Sequence, residues 1–112
     1  MKNYLDISKE EIIFILKQTN KCILALSNNH QPYLIPMYYQ LYLEEDKIII
    51  KMKNENKGKK LEYLKNNSLV SLIFEYGNWG KINTITANGE AKLEEDLIII
   101  KVNDISGRQY YR

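Results

Sequence analysis

The sequence predicts a mostly-β domain: an antiparallel sheet curled into a barrel, with one solid and one short helix flanking it. Three observations carry this. Apolar residues alternate with period two through most of the chain after Lys21. The apolar segments follow one another through short polar or glycine-containing turns, which suits antiparallel pairing and not crossover units. Only two stretches show helical spacing.

Ser8, with Glu11 three residues on and then Ile12, Ile13, Ile15 and Leu16, is a capping box ahead of an apolar face, predicting a helix from Ser8 to Thr19. Cys22 to Ser27 is a short strand ending in the polar turn Asn28-Asn29-His30-Gln31. From Tyr33 to Leu43 both phases are apolar or aromatic, which predicts one strand covered on both faces and irregular at Pro36, where no N–H is available. Glu44-Glu45-Asp46 turns the chain into a returning strand, Lys47 to Lys53. After a polar break from Asn54 to Lys57, Leu61, Tyr63 and Leu64 mark a short helix ending near Asn66-Asn67. Leu69 to Tyr76 is the next strand, and Gly77-Asn78-Trp79-Gly80 a loop.

Asn88-Gly89 is a strong hairpin signal by itself. Yet Ile85, Ala87, Gly89, Ala91 and Leu93 keep one alternation through it, so Lys81 to Glu94 reads as one long strand with a bulge or close packing at Gly89. A last strand covers Leu97 to Asn103, for a total of six. Leu43–Lys51 and Leu93–Lys101 agree at eight of nine positions, but the segments before them do not. They are two similar hairpin turns, not a domain repeat.

Composition narrows the function. The 112 residues suit one domain, and 16 basic against 14 acidic residues leave a net charge of +2, far from the excess of a nucleic-acid wrapper. Neither a membrane-length apolar run nor a signal peptide is evident, so a cytoplasmic protein is expected. Cys22 is alone and reads as a small core residue; His30 is alone and reads as solvated in its turn. No disulfide, metal centre or Ser-His-Asp triad is expected from them.

Two signals remain. From Lys47 to Lys65 there are seven Lys and two Glu, a local +5. Within it, Lys51-Met52-Lys53 is followed by Lys57-Gly58-Lys59-Lys60 at a helix start, where free N–H groups and the positive dipole end suit a phosphate. It is not a P-loop, because the required spacing is absent. Around the same hairpins gather Tyr33, Tyr38, Tyr39, Tyr42, Tyr76 and Trp79, a wall for a planar ligand or, more plainly, core and interface. The residues alone leave a solvated lysine face open beside a phosphate site.

In order and spacing, the chain resembles the FMN-binding split barrel, and within it the pyridoxamine 5′-phosphate oxidase-like proteins of the nitroimidazole-resistance type. The elements that carry the resemblance are Gln31-Pro32, Pro36-Met37-Tyr38-Tyr39, Gly58-Lys59-Lys60, the run from Leu64 to Ser71, and Gly89-Glu90-Ala91. It covers roughly Lys21 to Leu93 and resumes in the tail IIIKVNDISGRQYYR. His30 stands where the turn usually has Gly, and Ser68 where Pro is usual. Glu94-Glu95-Asp96 replaces a helical segment of longer relatives.

The resemblance implies a six-stranded antiparallel split barrel, Greek-key-like, and a homodimer with FMN at the subunit interface. Pro36, Met37, Tyr38 and Tyr39, on to Leu41, would line the ring and ribityl chain largely through backbone. Lys51, Met52 and Lys53 would pass beneath the ribityl-phosphate, and Lys59 and Lys60, beside Gly58, would pair with the phosphate. Thr84 and Trp79 would reach the flavin from the second subunit. The substrate-binding Arg and His residues of the true oxidase have no counterpart, so pyridoxamine-phosphate oxidation is not expected. The expected function is flavin-dependent reduction of a small planar acceptor, a nitro compound or quinone. Two alternatives stand beside it: a flavin- or haem-binding module without turnover, and a cofactor-free barrel acting through its lysine face.

Overall fold

The computed structural model describes residues 3–54 and 58–111. In chain order they form β1 (Tyr4–Asp6), α1 (Lys9–Gln18), β2 (Lys21–Asn28), β3 (Gln31–Tyr38), β4 (Gln40–Glu44), β5 (Lys47–Lys53), α2 (Lys59–Asn66), β6 (Leu69–Gly77), β7 (Lys81–Glu94) and β8 (Leu97–Tyr111). All pairings are antiparallel, in the order β3-β2-β6-β7-β8-β5-β4, with β1 added on β8. The β6-β7-β8 meander with β5 returned beside β8 through α2 is a Greek key. β3 and β4 stand at opposite ends of the path, yet Tyr39 alone separates them in sequence. The sheet therefore curls until its ends approach, giving the expected antiparallel barrel.

There are eight strands among the described residues, not six. β1 is three residues long and carries no alternation to read. The expected strand from Tyr33 to Leu43 is two, broken at Tyr39 and not at Pro36. Pro36 sits in unbroken register opposite Ile23, because β3 is a sheet edge where a missing donor is tolerated. At Tyr39 the backbone N–H donates to the Asn20 carbonyl (3.0 Å) and the hydroxyl to the Leu16 carbonyl (2.7 Å). Leu16 lies in the last turn of α1, where carbonyls lack helical partners, so this buried tyrosine ties the sheet corner to the helix end. β8 also runs on past Asn103 to Tyr111 along β7.

Other expectations hold. Ser8 caps α1, its hydroxyl accepting from Glu11 N–H at 3.2 Å. β7 is one strand through Asn88-Gly89, with a register shift there. A Cβ at Gly89 would collide with the Lys101 carbonyl oxygen, so the close approach of β8 is what requires glycine. The two matching segments fold into matching hairpins, with Glu45 (φ 55°) and Glu95 (φ 54°) in the same left-handed conformation. Inside the curl, Leu16 of α1 meets Leu24, Ile50, Met52, Phe74, Ile85, Ile98 and Ile100, all fully buried, each contributing about 1.5–3 kcal/mol through apolar burial. Cys22 is buried among them.

Candidate functional site

Strand alternation sorts the expected site residues onto two sides of the sheet. On β3, Met37 faces the core and Pro36 and Tyr38 face out, Tyr38 exposed with the Lys21 ammonium 5.3 Å from its ring centre. Tyr39, between β3 and β4, is buried edge-on against Phe74, ring centres 5.0 Å apart. Its hydroxyl is held well above the usual phenol range, first by burial and then by neighbouring Cys22. On β5, Met52 is buried while Lys51 and Lys53 face out. Lys51 lies in register between Gln40 and Ile99, its ammonium 4.4 Å from the Tyr42 ring centre.

α2 brings its first turn to this region. Gly58 is the N-cap and supplies no side-chain cap to the free N–H groups. A Cβ on Gly58 would meet nothing within 4 Å among the described residues. Lys59 is exposed, its ammonium 5.2 Å from the centre of the Tyr33 ring, which stacks tilted on Tyr63 at 5.5 Å. Lys60 instead turns inward: it is 5% exposed and its ammonium donates to the Met37 sulfur at 3.8 Å. The helix start and the Pro-centred strand, far apart in sequence, are thus in direct contact. Lys57, counted with this cluster, lies outside the described residues.

Asn54 was not singled out from the sequence. It is 4% exposed; its N–H donates to the Asp96 carbonyl (2.7 Å), while its buried side-chain Oδ1 has no hydrogen-bond partner among the described residues. An orphaned buried acceptor costs about 1–3 kcal/mol unless something satisfies it. The signal was there: Ile48, Ile50, Met52 and Asn54 share one strand phase, and a polar residue on the core phase is an anomaly.

Thr84 and Trp79 stand elsewhere. β7 is separated from β3 by β6 and β2. Thr84 is half-buried on the outer face between Glu75 and Arg108. Trp79 tops the β6–β7 turn, 93% exposed, where Asn78 N–H donates to the Lys81 carbonyl at 2.9 Å. Among the described residues no three His, Cys, Asp or Glu side chains group as metal ligands, and no helix is long and apolar enough to cross a membrane.

No protein-family model and no curated protein matches the sequence. Solved structures do. A FAD-binding protein from Mesorhizobium loti superimposes with a TM-score of 0.81 at 18% identity, over 97% of this chain and 98% of that one. A candidate 5-nitroimidazole antibiotic resistance protein from Bacteroides thetaiotaomicron gives 0.74 at 17%, over 96% and 87%. A candidate pyridoxamine 5′-phosphate oxidase from Corynebacterium glutamicum gives 0.71 at 13%, over 97% and 99%. At these identities the likeness is one of fold. The chain is a split β-barrel of the architecture found in flavin-binding and pyridoxamine 5′-phosphate oxidase-like proteins.

Proposed function

We propose that the chain is a cytoplasmic, homodimeric flavoprotein that binds FMN between its subunits and reduces small planar acceptors of the nitro-compound or quinone class. The observation that carries the reading is the convergence at the start of α2. There an uncapped helix N-terminus, exposed Lys59, and Lys60 against Met37 follow the unsatisfied Oδ1 of Asn54 in sequence. Free N–H groups and cationic charge at a helix start suit a phosphate. The barrel fold shared with a FAD-binding protein supports a flavin.

In this reading Gly58 and Lys59 hold the phosphate, and Lys60, Met37 and Met52 form the floor behind it. Lys51 and Lys53 add positive charge along β5, and the backbone from Pro36 through Tyr38 and Tyr39 lines the ring. Thr84 and Trp79 complete the pocket from the second subunit. A bound flavin supplies hydride or electron transfer, chemistry that needs no general acid or base from the chain.

Titrating FMN and FAD into the purified protein tests the site. Lys59→Ala removes one charge-assisted contact, so affinity should fall about tenfold to a hundredfold. Equal affinities for variant and wild type would remove the phosphate site. Anaerobic reduction followed by mixing with nitro and quinone acceptors tests turnover. A reduced flavin that reoxidises with none of them makes the protein a binding module, and protein that takes up no flavin leaves the lysine-face reading.

A further inference from the structure

Asn-Gly occurs once in the sequence, at Asn88-Gly89, and the fold explains both residues. Gly89 has no room for a Cβ, because the Lys101 carbonyl oxygen of β8 occupies that place. Asn88 is exposed on the outer face, in one row with Ser71 of β6 and Asp104 of β8. Its amide bridges the three strands. Oδ1 accepts from the Ser71 hydroxyl at 2.6 Å, and Nδ2 donates to Asp104 Oδ1 at 3.1 Å and Oδ2 at 3.5 Å.

Packing and cross-strand bonding thus place side by side the two residues whose chemistry is least hindered. Without a Cβ on Gly89, nothing screens its nitrogen from the neighbouring side chain. That nitrogen adds to Asn88 Cγ, the Cγ–Nδ2 bond breaks, and Nδ2 leaves as ammonia with the proton that Gly89 gives up. Water then opens the cyclic imide at one of its two carbonyls. The products are aspartate, or isoaspartate in which the main chain runs through the side-chain carbon. Nothing is oxidised or reduced, and solvent water is the co-reactant.

In the folded chain the amide is held away from this reaction. Turning Cγ towards the Gly89 nitrogen breaks the bonds to Ser71 and Asp104 together. The ladder is interrupted at the same point: Asn88 faces Asp104 but Gly89 faces Val102, so Asn103 is passed over. Local opening of β8 from β7 there releases side chain and main chain at once.

Conversion also reverses the contact. A donor to Asp104 becomes a second carboxylate, where 3.1 Å now separates Nδ2 from Oδ1, and like charges so placed repel. In the flanking rows Thr86 faces Ser106 and Glu90 faces Lys101, so the ammonium of that row already has a carboxylate opposite it. Isoaspartate adds a main-chain atom just before Gly89, where β8 leaves no space even for a Cβ.

We propose that Asn88-Gly89 is a self-modification site. It is shielded while Ser71 and Asp104 hold the amide, it deamidates when β7 and β8 part, and its product makes them part more readily. The barrel thereby carries a chemical record of time spent open. This rests on the sheet alone and not on the flavin reading.

Ageing the full chain at physiological temperature and mildly alkaline pH, with peptide mapping by mass spectrometry, tests the shield. The Asn88 peptide should exchange NH for oxygen much faster in denaturing urea than in buffer. Ser71→Ala and Asp104→Ala each remove one partner and should speed conversion in buffer by about threefold to tenfold, with the rate in urea unchanged. Equal rates in buffer and urea, or no conversion in either, would overturn the site. If Ser71→Ala fails to fold, Asp104→Ala decides.

Asn88→Asp tests the consequence without waiting for the reaction. Its urea midpoint should fall, with the folding equilibrium constant down about tenfold. Adding Asp104→Asn restores one amide against one carboxylate with the roles exchanged, so the double variant should return to within about twofold of wild type. An Asn88→Asp chain as stable as wild type, or a double variant no better than the single, would overturn the repulsion.

Discussion

Gly89 is where the β7–β8 ladder has least room, and replacing it with alanine measures how tightly that ladder is packed. A Cβ there would overlap the Lys101 carbonyl oxygen and stand 3.1 Å from Ile100 Cγ2. The obstructing atom is backbone in a 15-residue strand paired along most of its length, so β8 cannot move aside locally. Overpacking of this kind costs about 1–3 kcal/mol. The stiffer unfolded chain returns about 0.4–1 kcal/mol, leaving a net loss of about 1.3 kcal/mol from the middle of the two ranges. At about 4–8 °C per kcal/mol for a domain near this size, the melting temperature should drop by about 5–10 °C. Thermal unfolding followed by circular dichroism, on Gly89→Ala and on Gly80→Ala, is the assay. A Cβ at Gly80 meets nothing within 4 Å, so that variant should match wild type or gain slightly. If Gly89→Ala melts with wild type, or Gly80→Ala is the less stable of the two, the packing argument fails.

Other perturbations follow from the same geometry. Asn29 and His30 (φ 50° and 66°) form the two-residue β2–β3 turn in left-handed conformations, so His30→Gly should stabilise by about 0.5–1 kcal/mol; an unchanged urea midpoint would count against it. Burial pushes the Cys22 thiol from 9.0 up to about 12 and raises Tyr39 as well. The unfolded chain therefore sheds these protons first, and stability, fully present below about pH 9, should fall by about 1.4 kcal/mol per pH unit per group as pH rises towards 12. Urea midpoints between pH 7 and 11 should show this slope, reduced in Cys22→Ala; a flat profile would contradict it. Asn54→Leu removes the orphaned Oδ1, so flavin affinity should drop about tenfold while the flavin-free protein stays at least as stable, readable as a lost flavin-induced shift in melting temperature.

How much of the fold was legible depended on whether the deciding interactions were local. The Ser8 cap, the alternation through Gly89 and the paired Glu-Glu-Asp turns are written in short windows, and each appears in the structure. The break at Tyr39 is not local. It is set by bonds to Asn20 and Leu16, about twenty residues away, and no window around Pro36-Met37-Tyr38-Tyr39 contains them. β1 was invisible for a related reason: three residues carry no period, and only their pairing with Tyr110, Gln109 and Arg108 makes them a strand.

The site was legible by residue type but not by phase. Lysines after a strand and a glycine before a helix suggested phosphate, yet type alone does not separate Lys59, which is exposed, from Lys60, which is buried against Met37. Phase does. In α2, Lys60 shares a helix face with Tyr63 and Leu64, three and four residues on, and all three are buried. The same reasoning in β5 puts Asn54 on the core side after Ile48, Ile50 and Met52. The Asn54 amide, on the apolar phase of its own strand, has no solvent to satisfy its Oδ1, so something else must. In a small barrel, such an out-of-phase amide points to a binding site more sharply than the lysines on the open face, which water already serves.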